Sequence, residues 1–141
     1  MHVVAVKQAS KRLNEWVSTF AAAAVSVPSA RSQVRQIMTS WGWEGAGLDD
    51  LLVIFSELLT NAIEHASNPG DEVQVRLQEL KGDCRVEVVD RRPDLLPPAL
   101  LRPQGERGRG LLLVRDLAAD MDVATTKGRK SVWARVQRAE C

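Results

Sequence analysis

From Leu48 to Ala66 the sequence keeps one helical period long enough to constrain everything around it. Leu51, Ile54, Phe55, Leu58, Ala62 and Ala66 recur at intervals of three and four and make one broad apolar face. Asp49 is a suitable N-cap, and Asn68-Pro69-Gly70 stops the run. A face this wide has to be covered, and 141 residues can build one hydrophobic core but not two independent domains. Glu57, Asn61 and Glu64 lie on a second stripe of the same helix, spaced by four and three, so their side chains point one way.

The cover is legible as strands. Val73, Val75 and Leu77 alternate with polar residues, Lys81-Gly82-Asp83 supplies a turn, and Cys84 to Asp90 alternates again through Val86 and Val88, which predicts a β-hairpin. Met121 to Thr126 and Lys130 to Val136 form a second strand pair around Lys127-Gly128-Arg129. Ahead of the long helix, Val34, Ile37, Met38 and Trp41 predict an amphipathic helix over Ser29 to Trp43 that ends near Gly42. Nearer the N-terminus, Leu13, Trp16, Val17 and Phe20 stand at helical spacing behind Ser10 and predict a short helix. The alanine-rich Phe20 to Val27, ending in Val-Ser-Val before Pro28, predicts a strand stopped by the proline. Gly110 opens a third helix through Leu111, Leu112, Val114, Leu117 and Ala118, closing near Asp120. The pattern is that of an α+β two-layer sandwich: a mixed, mostly antiparallel sheet with helices packed on one face. Residues 1–27 read as an N-terminal helix/strand extension packed on a domain of residues 28–141, a single domain overall.

Composition removes several functional classes. Apolar residues make up 45% and charged residues 26%, as in an ordinary globule, and a net charge of +1 argues against a chain that grips a nucleic-acid backbone. The longest apolar runs, Phe20 to Val25 and Leu111 to Val114, fall well short of the roughly 20 residues of a membrane span, and no signal-peptide pattern opens the chain. The expected location is cytoplasmic. Cys84 and Cys141 make no metal-ligand spacing with His2 and His65 and are expected to be free thiols. The near-zero net charge hides a local excess: Arg91, Arg92, Arg102, Arg107 and Arg109 crowd one segment.

That segment, Arg91 to Arg109, has no sustained period, and an ordered loop of this length is more often a lid or binding loop than a connector. Three features beside it have ordinary explanations when taken singly. Glu57 and Asn61 fit the solvated side of a helix, Asp90 fits a turn cap, and Gly105, Gly108 and Gly110 fit loop flexibility. Together they assemble differently. A glycine-rich segment entering a helix presents unpaired N–H groups and the positive end of a dipole to a phosphate. Arg107 and Arg109 add charge to it, and the Asn61 oxygen suits Mg²⁺. Glu57, one turn before, can orient and deprotonate a hydroxyl or water. A P-loop is excluded because Val123 stands where the first glycine of Gly128-Arg129-Lys130-Ser131 would be needed. The glycine order from Gly105 to Gly110 is also reversed from the dinucleotide fingerprint.

With these residues in place the chain resembles the GHKL ATPases, with a histidine-kinase-like ATPase domain, and within them the small anti-sigma-factor serine/threonine kinases of actinobacterial type. The resemblance rests on four motifs in order over roughly residues 28 to 137. Ser56-Glu57-Leu58-Leu59-Thr60-Asn61-Ala62 with His65 is similar to the N box, and Val86-Glu87-Val88-Val89-Asp90 to the strand entering the G1 box. Glu106-Arg107-Gly108-Arg109-Gly110-Leu111 is similar to the G2 box, and Gly128 to Val136 to the closing strand pair. What this implies is a Bergerat-type fold binding ATP and Mg²⁺ under a lid. Asn61 would hold the metal, Glu57 would be the general base, and Asp90 would accept the adenine amino group. Arg107, Gly108, Arg109 and Gly110, with the amides of Leu111 and Leu112, would bind the phosphates. The implied partners are a sigma factor, held inactive, and a small antagonist protein phosphorylated on serine or threonine, with a homodimer as the implied assembly. The sequence departs from the pattern at Asp90-Arg91-Arg92-Pro93, where the G1 box normally carries glycines. That leaves a second reading open, a binding module of the same fold that has lost catalysis.

Overall fold

The computed structural model describes residues 12–65, 68, 70–91, 114–126 and 128–138. Its elements run β1 (Arg12–Ala21), α1 (Ser26–Ser40), α2 (Gly45–His65), β2 (Glu72–Leu80), β3 (Asp83–Asp90), β4 (Asp120–Thr126) and β5 (Arg129–Gln137). A short helical turn at 114–117 precedes β4. The strands form one sheet in the order β1-β2-β3-β5-β4, and every neighbouring pair is antiparallel. The helices pack on one face, which is the expected α+β sandwich.

The N-terminal expectation is overturned. Residues 12–21 are an edge strand, not a helix, with Trp16 opposite Leu77 and Phe20 opposite Val73. An interval of four, as between Trp16 and Phe20, satisfies a helical face and a strand face alike, so the spacing could not separate them. Trp, Val, Thr and Phe favour a pleated surface, and the open edge of β2 supplies the ladder that decides the matter. Trp16 and Phe20 face the core at a ring separation of 6.4 Å, while Val17 on the other face is exposed. The strand expected over Phe20 to Val27 is likewise replaced: β1 ends at Ala21, and α1 begins at Ser26 with Pro28 in its first turn. A proline there loses an N–H that would have no partner in the helix anyway, so it opens a helix where the sequence suggests that it closes a strand.

α1 ends as expected. The Gly42 N–H bonds to the Thr39 carbonyl and the Trp43 N–H to the Met38 carbonyl, at 2.9 and 3.0 Å. This double closure needs the left-handed backbone that Gly42 adopts at φ 89°. α2 starts at Gly45, one turn before the expected cap at Asp49, because two low-propensity glycines conceal a turn that packing enforces. Between the layers lie Val34 and Met38 of α1, Leu51, Leu52, Phe55 and Leu58 of α2, and the inward valines of β2, β3 and β5.

One buried carboxylate ties the sheet end nearest the β2–β3 hairpin. Glu79 accepts from Asn14 Nδ2 at 2.7 Å and from the Trp43 indole Nε1 at 2.8 Å, with Arg138 Nη1 3.7 Å away. Arg138 also donates to the Gly42 carbonyl and stacks over Trp43 at 5.5 Å. Edge strand, α1 terminus and C-terminal segment therefore meet at one charge. Beside it the buried Cys84 thiol is pushed well above its ordinary pKa, first by burial and then by the Glu79 and Asp83 carboxylates.

Removing the Glu79 carboxylate strands the buried indole donor of Trp43 and takes the counter-charge from the partly exposed Arg138. Glu79→Ala is expected to lower the unfolding free energy in urea by about 3 kcal/mol. Glu44→Ala, at an exposed position, is expected to change it by under about 0.5 kcal/mol. In a Cys141→Ser variant, Cys84 is expected to resist Ellman's reagent at pH 8 until denaturant is added, since it is the thiolate that reacts. Prompt modification of the native protein would contradict the buried thiol.

Candidate functional site

The polar stripe of α2 sits at the opposite end of the sheet. α2 starts beside the β2–β3 hairpin, where Gly47 and Asp50 share a cleft with Gly82 and Arg138. It then runs across β3 and β5. Its last turn leads back within a few residues to Glu72, at the start of β2, and Gln74 pairs with Val89 next to the end of β3. Its C-terminal half, with Glu57 and Asn61, therefore lies toward the strand end that carries Asp90.

Glu57 is half-buried and Asn61 is 8% exposed, although both stand on the stripe that periodicity alone would give to solvent. Leu58, Leu59 and Ala62 between and after them are in the core. An arginine fixes this stretch of helix. Arg31 Nη1 donates to the Leu52 carbonyl at 2.9 Å and to Ser56 Oγ at 2.7 Å, and Ser56 Oγ donates to the same carbonyl at 2.8 Å. α1 is thereby pinned to α2 one residue before Glu57. Nothing in the hydrophobic pattern marks Arg31, since a long-range side-chain contact leaves no local period.

Asp90 closes β3 on the face that α2 covers, in phase with Val86 and Val88. Its cross-strand partner is Lys130, and Asp90 Oδ2 lies 3.6 Å from Lys130 Nζ, with both side chains 1% exposed. A lysine this deep needs a charge partner, and the carboxylate opposite supplies one. In the sequence Lys130 stands out only in the excluded P-loop pattern and otherwise reads as a residue of the last strand. The available signal was phase: it occupies the inward series with Val132, Ala134 and Val136.

The remaining expected site residues, Arg107, Gly108, Arg109, Gly110, Leu111 and Leu112, lie outside the described residues, as do Arg92 and Pro93 of the altered G1 box. His65 ends α2. A cleft of about 120 Å³ opens near the strand ends, lined by Thr19, Glu72, Gln74, Val89, Asp90, Arg91 and Arg129, so that of the expected site residues it includes Asp90. Its Gln74 and Val89 belong to the sheet face away from α2, so it is not the place of Glu57 and Asn61. Among the described residues no group of three or more His, Cys, Asp or Glu is placed to hold a metal ion, and no helix is long and apolar enough to cross a membrane.

The chain thus has a helix carrying a carboxylate and an amide one turn apart, over a sheet end that finishes in a buried aspartate. A sequence model of the histidine kinase-like ATPase domain matches residues 20–136. No curated protein sequence matches the chain. Among solved structures, the RsbU and RsbW domains of Rv1364c from Mycobacterium tuberculosis superpose with a TM-score of 0.64 at 20% identity, over 88% of this chain and 32% of that one. The chain thus spans about a third of that relative. The SiaB–SiaC complex from Pseudomonas aeruginosa superposes with a TM-score of 0.67 at 13% identity, over 95% of this chain and 96% of that one. At such identities the likeness is one of fold. The match over residues 20–136 covers far more than half of the sequence and is in agreement with the sandwich and its helical stripe, and the chain belongs to the histidine kinase-like ATPase domain family.

Proposed function

We propose that the chain binds ATP with Mg²⁺ between α2 and the segment that follows Asp90, and that it phosphorylates a serine or threonine of a partner protein. The observation that carries this reading is the pairing of Glu57 and Asn61 one turn apart on α2, with Asn61 nearly buried, at the sheet end that carries Asp90. The amide oxygen of Asn61 is a neutral hard donor. A site with one such protein ligand suits Mg²⁺, which takes the rest of its shell from phosphates and water. The ion would supply charge neutralisation on the phosphate oxygens. Glu57 would accept the proton of the partner's hydroxyl as that oxygen bonds to the γ-phosphorus, and the bond to the β–γ bridging oxygen breaks to release ADP. Asp90 would accept from the adenine amino group. Arg107, Gly108, Arg109 and Gly110 would serve the phosphates together with the amides of Leu111 and Leu112.

The partner class follows from the company the fold keeps. An RsbW domain occurs beside an RsbU domain in one structural neighbour, and SiaB is held in a complex with SiaC in the other. Both support a protein substrate of the anti-sigma-factor-antagonist type; a sigma factor as the protein held inactive, a homodimer and a cytoplasmic setting belong to the same proposal and rest on the sequence resemblance alone. A second reading is a binding module of the same fold without catalysis, and the sequence Asp90-Arg91-Arg92-Pro93, which carries no glycine, favours it.

Calorimetry separates the two. The kinase reading expects ATP binding by wild type that strengthens with Mg²⁺, and an Asn61→Ala variant that loses the Mg²⁺-dependent part. It expects Glu57→Ala to keep nucleotide and to lose phosphoryl transfer to a cognate partner by about a hundredfold or more. No heat and no thermal shift at millimolar nucleotide would leave the binding module standing instead.

A further inference from the structure

The Asp90–Lys130 pair has a use that the resemblance does not assign. A buried ion pair is a poor source of stability, since well-packed apolar residues at the same positions often do better. Lys130 nonetheless occupies an inward position in series with Val132 and Ala134, directly opposite Asp90. Ionisable groups held this deep beside a specific charge partner are candidates for function. The two strands also fix their order: a carboxylate, which accepts, stands beside an ammonium, which donates.

That order matches one edge of one kind of base. A 6-aminopurine presents an exocyclic amino donor next to the ring acceptor N1. A 6-oxopurine presents the reverse, an oxygen acceptor next to an N1–H donor. We infer that Lys130 is a base-reading residue of this site, donating to N1 of adenine while Asp90 accepts from the 6-amino group. The inference rests on the nucleotide-binding reading given above. In that geometry a 6-oxopurine sets oxygen against carboxylate and N–H against ammonium, the kind of mismatch that a site built around polar partners rejects most strongly.

The test exchanges atoms on both sides of the contact. Binding of ATP, 1-deaza-ATP (N1 replaced by C–H) and 7-deaza-ATP is measured calorimetrically for wild type and Lys130→Met. Wild type is expected to bind 1-deaza-ATP about tenfold more weakly than ATP, the scale of a hydrogen bond from a charged donor, and to treat 7-deaza-ATP as ATP. In Lys130→Met the 1-deaza penalty is expected to vanish, a coupling that a merely structural lysine would not produce. Wild type that binds ATP and 1-deaza-ATP equally well overturns the inference, and it does so with unmodified protein, should the variant not fold. Equal penalties in both proteins also overturn it. Tighter ATP binding by Lys130→Met also overturns it, because the lysine would then compete with the base for Asp90. Failure of wild type to bind ATP at all is a different outcome, because it removes the nucleotide reading itself and the role of Lys130 with it.

Discussion

The fold hangs on the burial of one helix face against one sheet face. α2 contributes Leu51, Leu52, Ile54, Phe55, Leu58 and Leu59 to a layer whose other side is the inward row of β2, β3 and β5. Burial of apolar area on this scale is the main favourable term in folding, and it sets a rule for everything inside: a polar group in that layer has to be partnered. The few that occur are therefore informative. Glu79, Asn61, Asp90 and Lys130 are the buried polar residues on the helix side of the sheet among the described residues, and they divide between its two ends.

The two ends differ in what the polar groups connect. At the hairpin end the Glu79 carboxylate joins β1, the α1 terminus and the segment after β5, residues far apart in sequence. Long-range ties of this kind hold a tertiary arrangement. At the other end the Asp90–Lys130 contact spans β3 and β5, adjacent strands that the backbone ladder already holds in register. A charge pair between strands so fixed adds little to the architecture. Arg31 completes the division by steadying the helix at Ser56, just before the proposed base.

What was legible in the sequence follows from which signals are local. The long helix, the two hairpins and the closure of α1 at Gly42 are written in period, turn residues and a required positive φ, all of which act within a few residues. The stripe of Glu57 and Asn61 is legible for the same reason. The N-terminal strand was not, because Trp16 and Phe20 stand four apart and only pairing with β2 distinguishes the two periods. Pro28 misled because a proline can close a strand or open a helix, and the sequence does not say which side of it is ordered. Lys130 and Arg31 were missed because their partners lie 40 and 21 positions away or more. Phase within β5 held the only hint of the former.

The departure of the G1 box then takes on a definite physical meaning. Glycines after the aspartate let the backbone approach a base closely, and Arg91-Arg92-Pro93 offers no such approach. A lysine supplied from β5 does not depend on that loop at all. If the ring nitrogen is contacted by a strand side chain, recognition of the base passes from loop backbone to the sheet, and the residues after Asp90 are released to carry charge. The run of Arg91 and Arg92 is consistent with that exchange: positions freed from close packing against a purine can hold guanidinium groups, which suit phosphate. On this argument the loss of glycine, which taken alone favours the binding module, is weighed against a buried lysine that takes the reading of the base away from the loop.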